Sequence, residues 1–262
     1  MPGADQRDPP AAAAPPSEGE AKPKWLSSSP LPAEHLHALG KLIDGLGGSP
    51  NADLIEDLLA TGLKLVKDGT DRGDVKVLLT TLKELRHAFR VFTPYRQIRK
   101  VSVFGSARTL PSEPEYQAAQ QFANRLAQLG FMVITGAGGG IMEAAQGGAG
   151  RERSFGVNIR LPNEQKANPT IENDPKLINF KYFFTRKVVF VKETHAIALF
   201  PGGFGTHDEG FESLTLVQTG KTNPIPIVFI DRPGGAYWRD WKRYVEKYLL
   251  RRRLIDAEDM SL

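Results

Sequence analysis

The sequence predicts an α/β fold: a Rossmann-like, doubly wound parallel sheet preceded by an N-terminal helical appendage. From Arg99 onward, short apolar runs of strand length alternate with helix-period segments, the pattern of a parallel sheet covered on both faces. From Pro32 to Val91 the periodicity is helical only. Three of the expected strands end in small or polar residues, and open parallel sheets bind ligands outside such carboxyl ends, where the strand order reverses. The expected boundaries are a disordered tail over residues 1–30, the helical appendage over 31–95 and the sheet domain over 96–262.

Residues 1–30 are rich in Pro, Ala, Ser and charge and cannot bury enough apolar surface to order themselves. Three amphipathic helices follow. Leu36, Leu39, Leu42, Ile43 and Leu46 mark the first, Leu54, Ile55, Leu58, Leu59 and Leu63 the second, and Val75, Leu78, Leu79, Leu82, Leu85 and Phe89 the third. Gly47-Gly48-Ser49-Pro50 and Asp68-Gly69 separate them. No residue cluster there points to chemistry, which leaves packing or oligomerisation. In the sheet domain, strands are expected at Lys100 to Phe104, Phe131 to Thr135, Phe155 to Ile159, Ala196 to Phe200 and Ile225 to Ile230. Helices are expected over Glu115 to Leu129, from about Ile141, around Phe183 to Glu193, from about His207 to Thr219 and over Tyr237 to Leu250. The chain stops at Met260-Ser261-Leu262 without a clear terminating element, which leaves a truncated C-terminus open.

At 262 residues the chain has room for one sizeable α/β domain plus a smaller appendage. No apolar run approaches the roughly 18 residues of a membrane span, and the N-terminus lacks the apolar core of a secretory signal, so a cytoplasmic protein with no membrane partner is expected. Zero cysteines exclude disulfides, thiolate nucleophiles and cysteine-based zinc or iron–sulfur sites. The five histidines are scattered, so no metal is expected. A net charge of +4 is mild, and no recognised module accompanies Arg251, Arg252 and Arg253, so nucleic acid is not an expected partner.

The stretch with most chemical content is Pro201-Gly202-Gly203-Phe204-Gly205-Thr206-His207-Asp208-Glu209. It follows a buried-strand pattern and opens a helix. Glycines at such a turn let backbone N–H groups approach an anion, and the helix start adds partial positive charge. A phosphate fits there, held by Gly202, Gly203, Gly205 and Thr206, with Glu209 one turn further on. Thr206 and Glu209 also have the Thr-x-x-Glu spacing of a capping box, so a purely structural role for Glu209 stays open. Gly105-Ser106-Ala107-Arg108 and Gly136 to Gly140 are expected to share the crevice, although a strand-end serine can simply cap the turn that follows it. Gly136-Ala137-Gly138-Gly139-Gly140-Ile141 begins like a dinucleotide fingerprint, but Ile141 stands where the third glycine belongs and the turn does not follow the first strand. Gly220-Lys221-Thr222 has the end of a Walker A loop, yet Thr215 occupies the place of its first glycine and the segment follows a helix. NAD is therefore not expected, nor is any other cofactor.

The stretch from Pro201 to Glu209 resembles the PGGxGTxxE motif of the Lonely Guy (LOG) family, cytokinin-activating nucleoside 5'-monophosphate phosphoribohydrolases often mislabelled lysine decarboxylases. Thr185-Arg186-Lys187 is similar to the arginine–lysine pair that accompanies the motif. Val103-Phe104-Gly105-Ser106 and the glycine-rich turn with Ile141-Met142-Glu143-Ala144-Ala145 also fit. The resemblance covers about Arg99 to Leu250 and is closer to the longer bacterial members, which include purine and pyrimidine nucleotide nucleosidases. It implies a nucleotide-binding catalytic domain that cleaves the N-glycosidic bond of a nucleoside 5'-monophosphate, AMP or a cytokinin riboside monophosphate, to free base and ribose 5-phosphate. It implies Glu209 and Arg186 as catalytic residues, with Gly105, Ser106, Gly138, Gly139, Lys187, Gly202, Gly203, Gly205 and Thr206 binding substrate. It also implies a homodimer or larger homo-oligomer with the pocket near the subunit contact.

Such a cleavage leaves positive charge on the ribose, which a fixed carboxylate stabilises while it orients or deprotonates water. A surface position on an amphipathic helix remains the plain alternative for Arg186. A non-catalytic nucleotide or molybdenum-cofactor carrier of similar fold remains the alternative to an enzyme. A lysine decarboxylase requires a pyridoxal-phosphate lysine, and no residue pattern identifies one.

Overall fold

The computed structural model describes residues 31–160 and 166–261, so the tail expected over 1–30 lies outside the described residues. The chain divides into two compact units, Met1–Val75 and Lys76–Leu262. In the first, α1 (Ala33–Gly45) and α2 (Ala52–Lys67) are joined through Gly47 and Gly48, whose φ angles of 99° and 68° favour glycine. Leu31, Leu39 and Ala60 form their small core. Helical periodicity groups α3 (Arg72–Phe92) with these two helices, yet its last turns belong to the sheet domain. Ala88 and Phe92 are buried in one core with Met132, Ile134 and Phe155, and the Phe92 ring stacks on Phe155 at 4.2 Å between centroids.

The second unit is a Rossmann-like α/β domain. Its six strands are β1 (Lys100–Phe104), β2 (Met132–Thr135), β3 (Ser154–Ile159), β4 (Leu177–Phe180), β5 (Ala196–Leu199) and β6 (Ile227–Phe229), all parallel, in the order β4-β3-β2-β1-β5-β6. Five lie where apolar runs place them; β4 is an addition. Between them come α4 (Pro114–Gln128), α5 (Ile141–Ala149), α6 (Phe183–Glu193) and α7 (Phe204–Gln218), and after β6 comes α8 (Tyr237–Tyr244), which continues as a π-helical turn over Val245–Leu250.

Side chains along a strand alternate between faces, and the two cores follow that period. Ile134, Phe155, Val157, Ile197 and Leu199 face α3, α6 and α8. Val101, Val103, Val133, Ala198 and Phe200 face α4 and α5. From β1 the chain builds outward to β4 on one side, then returns to place β5 and β6 on the other. The reversal falls between β1 and β5, paired in register from Val101↔Ala196 to Phe104↔Leu199. Beyond the strands, Phe200 N–H donates to Phe104 O (2.8 Å) and Ser106 N–H to Pro201 O (3.0 Å), so the two loops leave the sheet side by side. No helix among the described residues is long and apolar enough to cross a membrane.

The α4–α5 contact depends on one glycine. A Cβ at Gly148 would lie 2.0 Å from the Gln120 carbonyl oxygen, whereas one at Gly147 would meet nothing closer than 3.9 Å. Gly148→Ala is therefore expected to destabilise the domain by about 1–3 kcal/mol, the usual range for overpacking. Gly147→Ala on the same helix should gain up to about 1 kcal/mol from helix propensity. Urea denaturation measures both, and equal midpoints for the two variants would show that the close approach is not needed.

Candidate functional site

The loops after β1 and β5 and the first turns of α6 and α7 enclose a cavity of about 780 Å³. Its lining includes Gly105, Ser106, Arg108, Gly136, Arg186, Gly202, Gly203, Gly205, Thr206 and Glu209. Helix α7 starts earlier than its apolar pattern indicates. Gly203 is its N-cap and accepts hydrogen bonds from the N–H groups of Thr206 (3.0 Å) and His207 (3.2 Å). Among the described residues, no hydrogen bond uses the N–H of Gly202, Gly203, Phe204 or Gly205. Unpaired N–H groups at a helix start form an anion-binding surface. Gly202 is also fixed by space, since a Cβ there would fall 2.1 Å from Thr206 Oγ1 and 2.9 Å from Ser106 N.

This early start removes the capping box. Thr206 sits inside the first turn, no side-chain cap bond forms at this helix, and the Glu209 carboxylate turns elsewhere. The inward stripe of α7 is Thr206, Glu209, Gly210 and Ser213, spaced as one helix face, so Glu209 is buried at 5% exposure by its position. Its Oε1 lies 3.3 Å from Nη2 of Arg186 on α6. The Arg186 guanidinium carbon is 5.1 Å from the Phe183 ring centroid and 5.6 Å from that of Phe190, on the same helix. Burial raises the Glu209 carboxyl above its ordinary value of 4.5, against the pull of Lys187 and Arg186, while Glu212 and Asp208 add to the rise. Burial likewise lowers the Arg186 guanidinium, opposed by Glu209. Desolvation thus outweighs pairing for both partners. The Arg186 Nε–H is buried with no partner, a donor an incoming acceptor would satisfy.

Three residues expected to bind substrate lie outside this lining: Gly138, Gly139 and Lys187. The glycine-rich turn packs instead. Ile141 N–H donates to Ser106 O (3.0 Å), and a Cβ at Gly140, where φ is 61°, would fall 2.2 Å from that same oxygen. The Gly138 carbonyl accepts from Asn168 Nδ2 (2.9 Å), a buried amide that also reaches Gln146 Oε1 (2.6 Å). Lys187 Nζ lies 2.8 Å from Asp208 Oδ2 and 2.7 Å from Glu212 Oε2. Burial alone would lower its amine, but hydrogen bonds to those two carboxylates hold it above the usual lysine value. Ser106 Oγ accepts the Arg108 N–H (3.1 Å), the local turn bond, and keeps its own proton for donation.

Several contributors escape sequence reasoning. Phe190 of α6 lines the cavity. Tyr237 of α8 donates its hydroxyl proton to the Gly202 carbonyl, and His207 Nε2 lies 2.7 Å from the same hydroxyl. Glu84 of α3 accepts from Thr185 Oγ1 (2.6 Å), tying down the start of α6. No local motif marks Phe190, Tyr237 or Glu84; only the fold brings them in. Among the described residues no three His, Cys, Asp or Glu side chains gather as around a metal ion.

A family model described as "Possible lysine decarboxylase" matches residues 139–262. No curated protein matches the chain. Among solved structures, the structural-genomics target TM1055 is 25% identical over 45% of this chain and 70% of its own, with a TM-score of 0.36. The molybdenum cofactor carrier protein of Chlamydomonas reinhardtii is 17% identical over 58% of this chain and 86% of its own, with a TM-score of 0.40. DNA processing protein A of Helicobacter pylori is 16% identical over 49% and 64%, with a TM-score of 0.37. Structural likenesses of this size say nothing about ligand or activity. The family match spans Arg186 and the whole Pro201 to Glu209 stretch, and stops short of the β1 loop that supplies Gly105 and Ser106.

Proposed function

We propose that the chain hydrolyses the N-glycosidic bond of nucleoside 5'-monophosphates, AMP or a cytokinin riboside monophosphate, releasing free base and ribose 5-phosphate. One observation carries this reading: the buried Glu209 carboxylate lines the same cavity as a set of unpaired backbone N–H donors. The donors and the α7 N-terminus take the 5'-phosphate, with Ser106 and Thr206 hydroxyls beside them. Glu209 then faces the sugar, about one helical turn, or ~5 Å, further along. As the bond to the base breaks, its electron pair leaves with the base nitrogen and positive charge builds on the ribose, which Glu209 stabilises. Water adds its oxygen to the anomeric carbon and gives a proton to Glu209, and the base takes up a proton. Arg186 keeps the carboxylate in place, and its free Nε–H donates to a ribose or phosphate oxygen.

A raised carboxyl pKa makes Glu209 a stronger base than an exposed glutamate. A phosphate carrier would gain nothing from burying it. The carrier reading, nucleotide or molybdenum cofactor, draws support only from the pairing of Glu209 with Arg186, which would let both serve as scaffolding. A pyridoxal-phosphate decarboxylase needs a lysine amine in the cavity, and the basic residues lining it are Arg108, Arg186 and His207. Assembly belongs to the same proposal. Phe183, Phe184 and Val188 of α6 and Phe204 and Phe211 of α7 are exposed apolar side chains, Phe204 at the cavity itself, and suit a homodimer contact.

Purified protein given a panel of nucleoside monophosphates should release base and ribose 5-phosphate, read by chromatography; tight binding without product would establish the carrier instead. Glu209→Gln should lower kcat by at least about a hundredfold, the scale of one lost electrostatic contact, with a cooperative thermal melt retained. Near-wild-type turnover in that variant would remove Glu209 from catalysis. Because Glu209 acts ionised and burial raises its pKa, the acid limb of kcat/KM should lie above 4.5. Arg186→Met, which deletes a charge favouring the carboxylate, should move that limb to still higher pH; an unmoved limb would assign it to another group. Light scattering should give a mass of at least a dimer, and a monomer would overturn the assembly.

A further inference from the structure

The Gly202–Gly203 peptide has two faces, and what holds it is visible. A Cβ at Gly203 would meet nothing within 4 Å, so packing does not restrain this position. Glycine pairs rotate freely between peptide orientations that other residues avoid. At the Gly202 carbonyl the restraint comes from α8. Tyr237 Oη donates to the Gly202 carbonyl, and because a hydroxyl has one proton, the same oxygen accepts from His207, whose Nε2 therefore carries hydrogen. The chain His207 to Tyr237 to Gly202 ties the first turn of α7, the start of α8 and the glycine loop together.

Resting on the anion-binding reading of this loop, we infer that Tyr237 is a positioning residue for the anion, holding the Gly202–Gly203 peptide with its N–H toward the ligand. Tyr237 does not line the large cavity. Together with Gly202, Ser106 and Arg232 it lines a smaller adjoining one of about 500 Å³. The Gly202 carbonyl bonded to it is thus drawn to that side. In a trans peptide the next N–H points the opposite way, here toward the large cavity that Gly203 lines. A flipped peptide would place the carbonyl oxygen against the phosphate and replace attraction by repulsion. The tyrosine ring itself rests on other contacts, 5.9 Å from His207 and 4.8 Å from Trp238 between centroids, so loss of the hydroxyl leaves the packing in place.

The test is Tyr237→Phe with ribose 5-phosphate as the probe, which needs no turnover. Calorimetry should show affinity reduced about tenfold, the effect of one hydrogen bond, with the melting temperature unchanged. In amide nitrogen–proton correlation spectra, the Gly203 resonance should respond to ribose 5-phosphate in the wild type and lose that response in Tyr237→Phe, while Gly205 keeps its own. Equal affinity and an intact Gly203 response in the variant would overturn the positioning role alone. Equal loss at Gly203 and Gly205 with a lowered melting temperature would also overturn it, because the tyrosine would then merely support the fold. A wild type that binds no ribose 5-phosphate would overturn the anion reading and the positioning role together.

Discussion

The pairing of β1 with β5 sets the place of the two loops that supply most of the cavity lining. A parallel sheet built outward from β1 in one direction and then extended from its other side leaves a gap above the reversal, because the two crossovers depart to opposite sides. The loops at that gap are bound to each other before any ligand arrives, through Ser106 N–H on Pro201 O at 3.0 Å. Ser106 is clamped from both sides by glycines. Gly140 approaches its carbonyl and Gly202 its nitrogen, each so closely that a Cβ would collide. Much of the glycine content here serves close packing of one loop on another, whereas the Gly202 to Gly205 segment at the start of α7 keeps its N–H groups open.

Against this rigid background α7 breaks a packing rule. The helix covers Leu199 with Gly210 and turns Thr206, Glu209 and Ser213 inward where apolar side chains would stabilise the fold more. A buried ion pair rarely compensates the desolvation of both its members, and a single 3.3 Å contact is far from a bidentate fork. Burial shifts Glu209 and Arg186 each toward its neutral form, which is the signature of that cost. Phe183 and Phe190 around the guanidinium return part of it. Local violations of this kind, supported by sound packing around them, are where function concentrates.

The sequence carries much of this, for identifiable reasons. Buried parallel strands read as continuous apolar runs, so β5 (Ala196–Leu199) falls within the run Ala196 to Phe200. The edge strand β4 has no such run; Asn179 is exposed within it, and pairing with β3 supplies what its own composition does not. The register of α7 was hidden because glycines mark helix starts weakly, which made Thr206 look like a cap and Glu209 its partner. Arg186 shows the opposite case. Its helix is amphipathic enough to place an arginine on the surface, and only the fold shows α7 closing over it. Tyr237 and Glu84 lie far from any motif, and act through hydrogen bonds that no spacing encodes.

Lys187 follows from the same geometry. Arg186 and Lys187 are successive residues, so their side chains leave α6 about 100° apart, one inward and one along the rim. Each finds carboxylates on α7: Arg186 meets Glu209, and Lys187 meets Asp208 and Glu212, which flank it. The two helices are therefore joined by an inner and an outer set of ion pairs. The Lys187 amine stays outside the cavity lining, yet its charge, like that of Arg186, favours ionisation of Glu209, while Glu212 and Asp208 push the other way. By pairing with both, Lys187 offsets two carboxylates that add to the rise burial produces at Glu209. Its effect on Glu209 passes through the field, and the Glu209 carboxylate depends on the outer pairs as well as on the inner one.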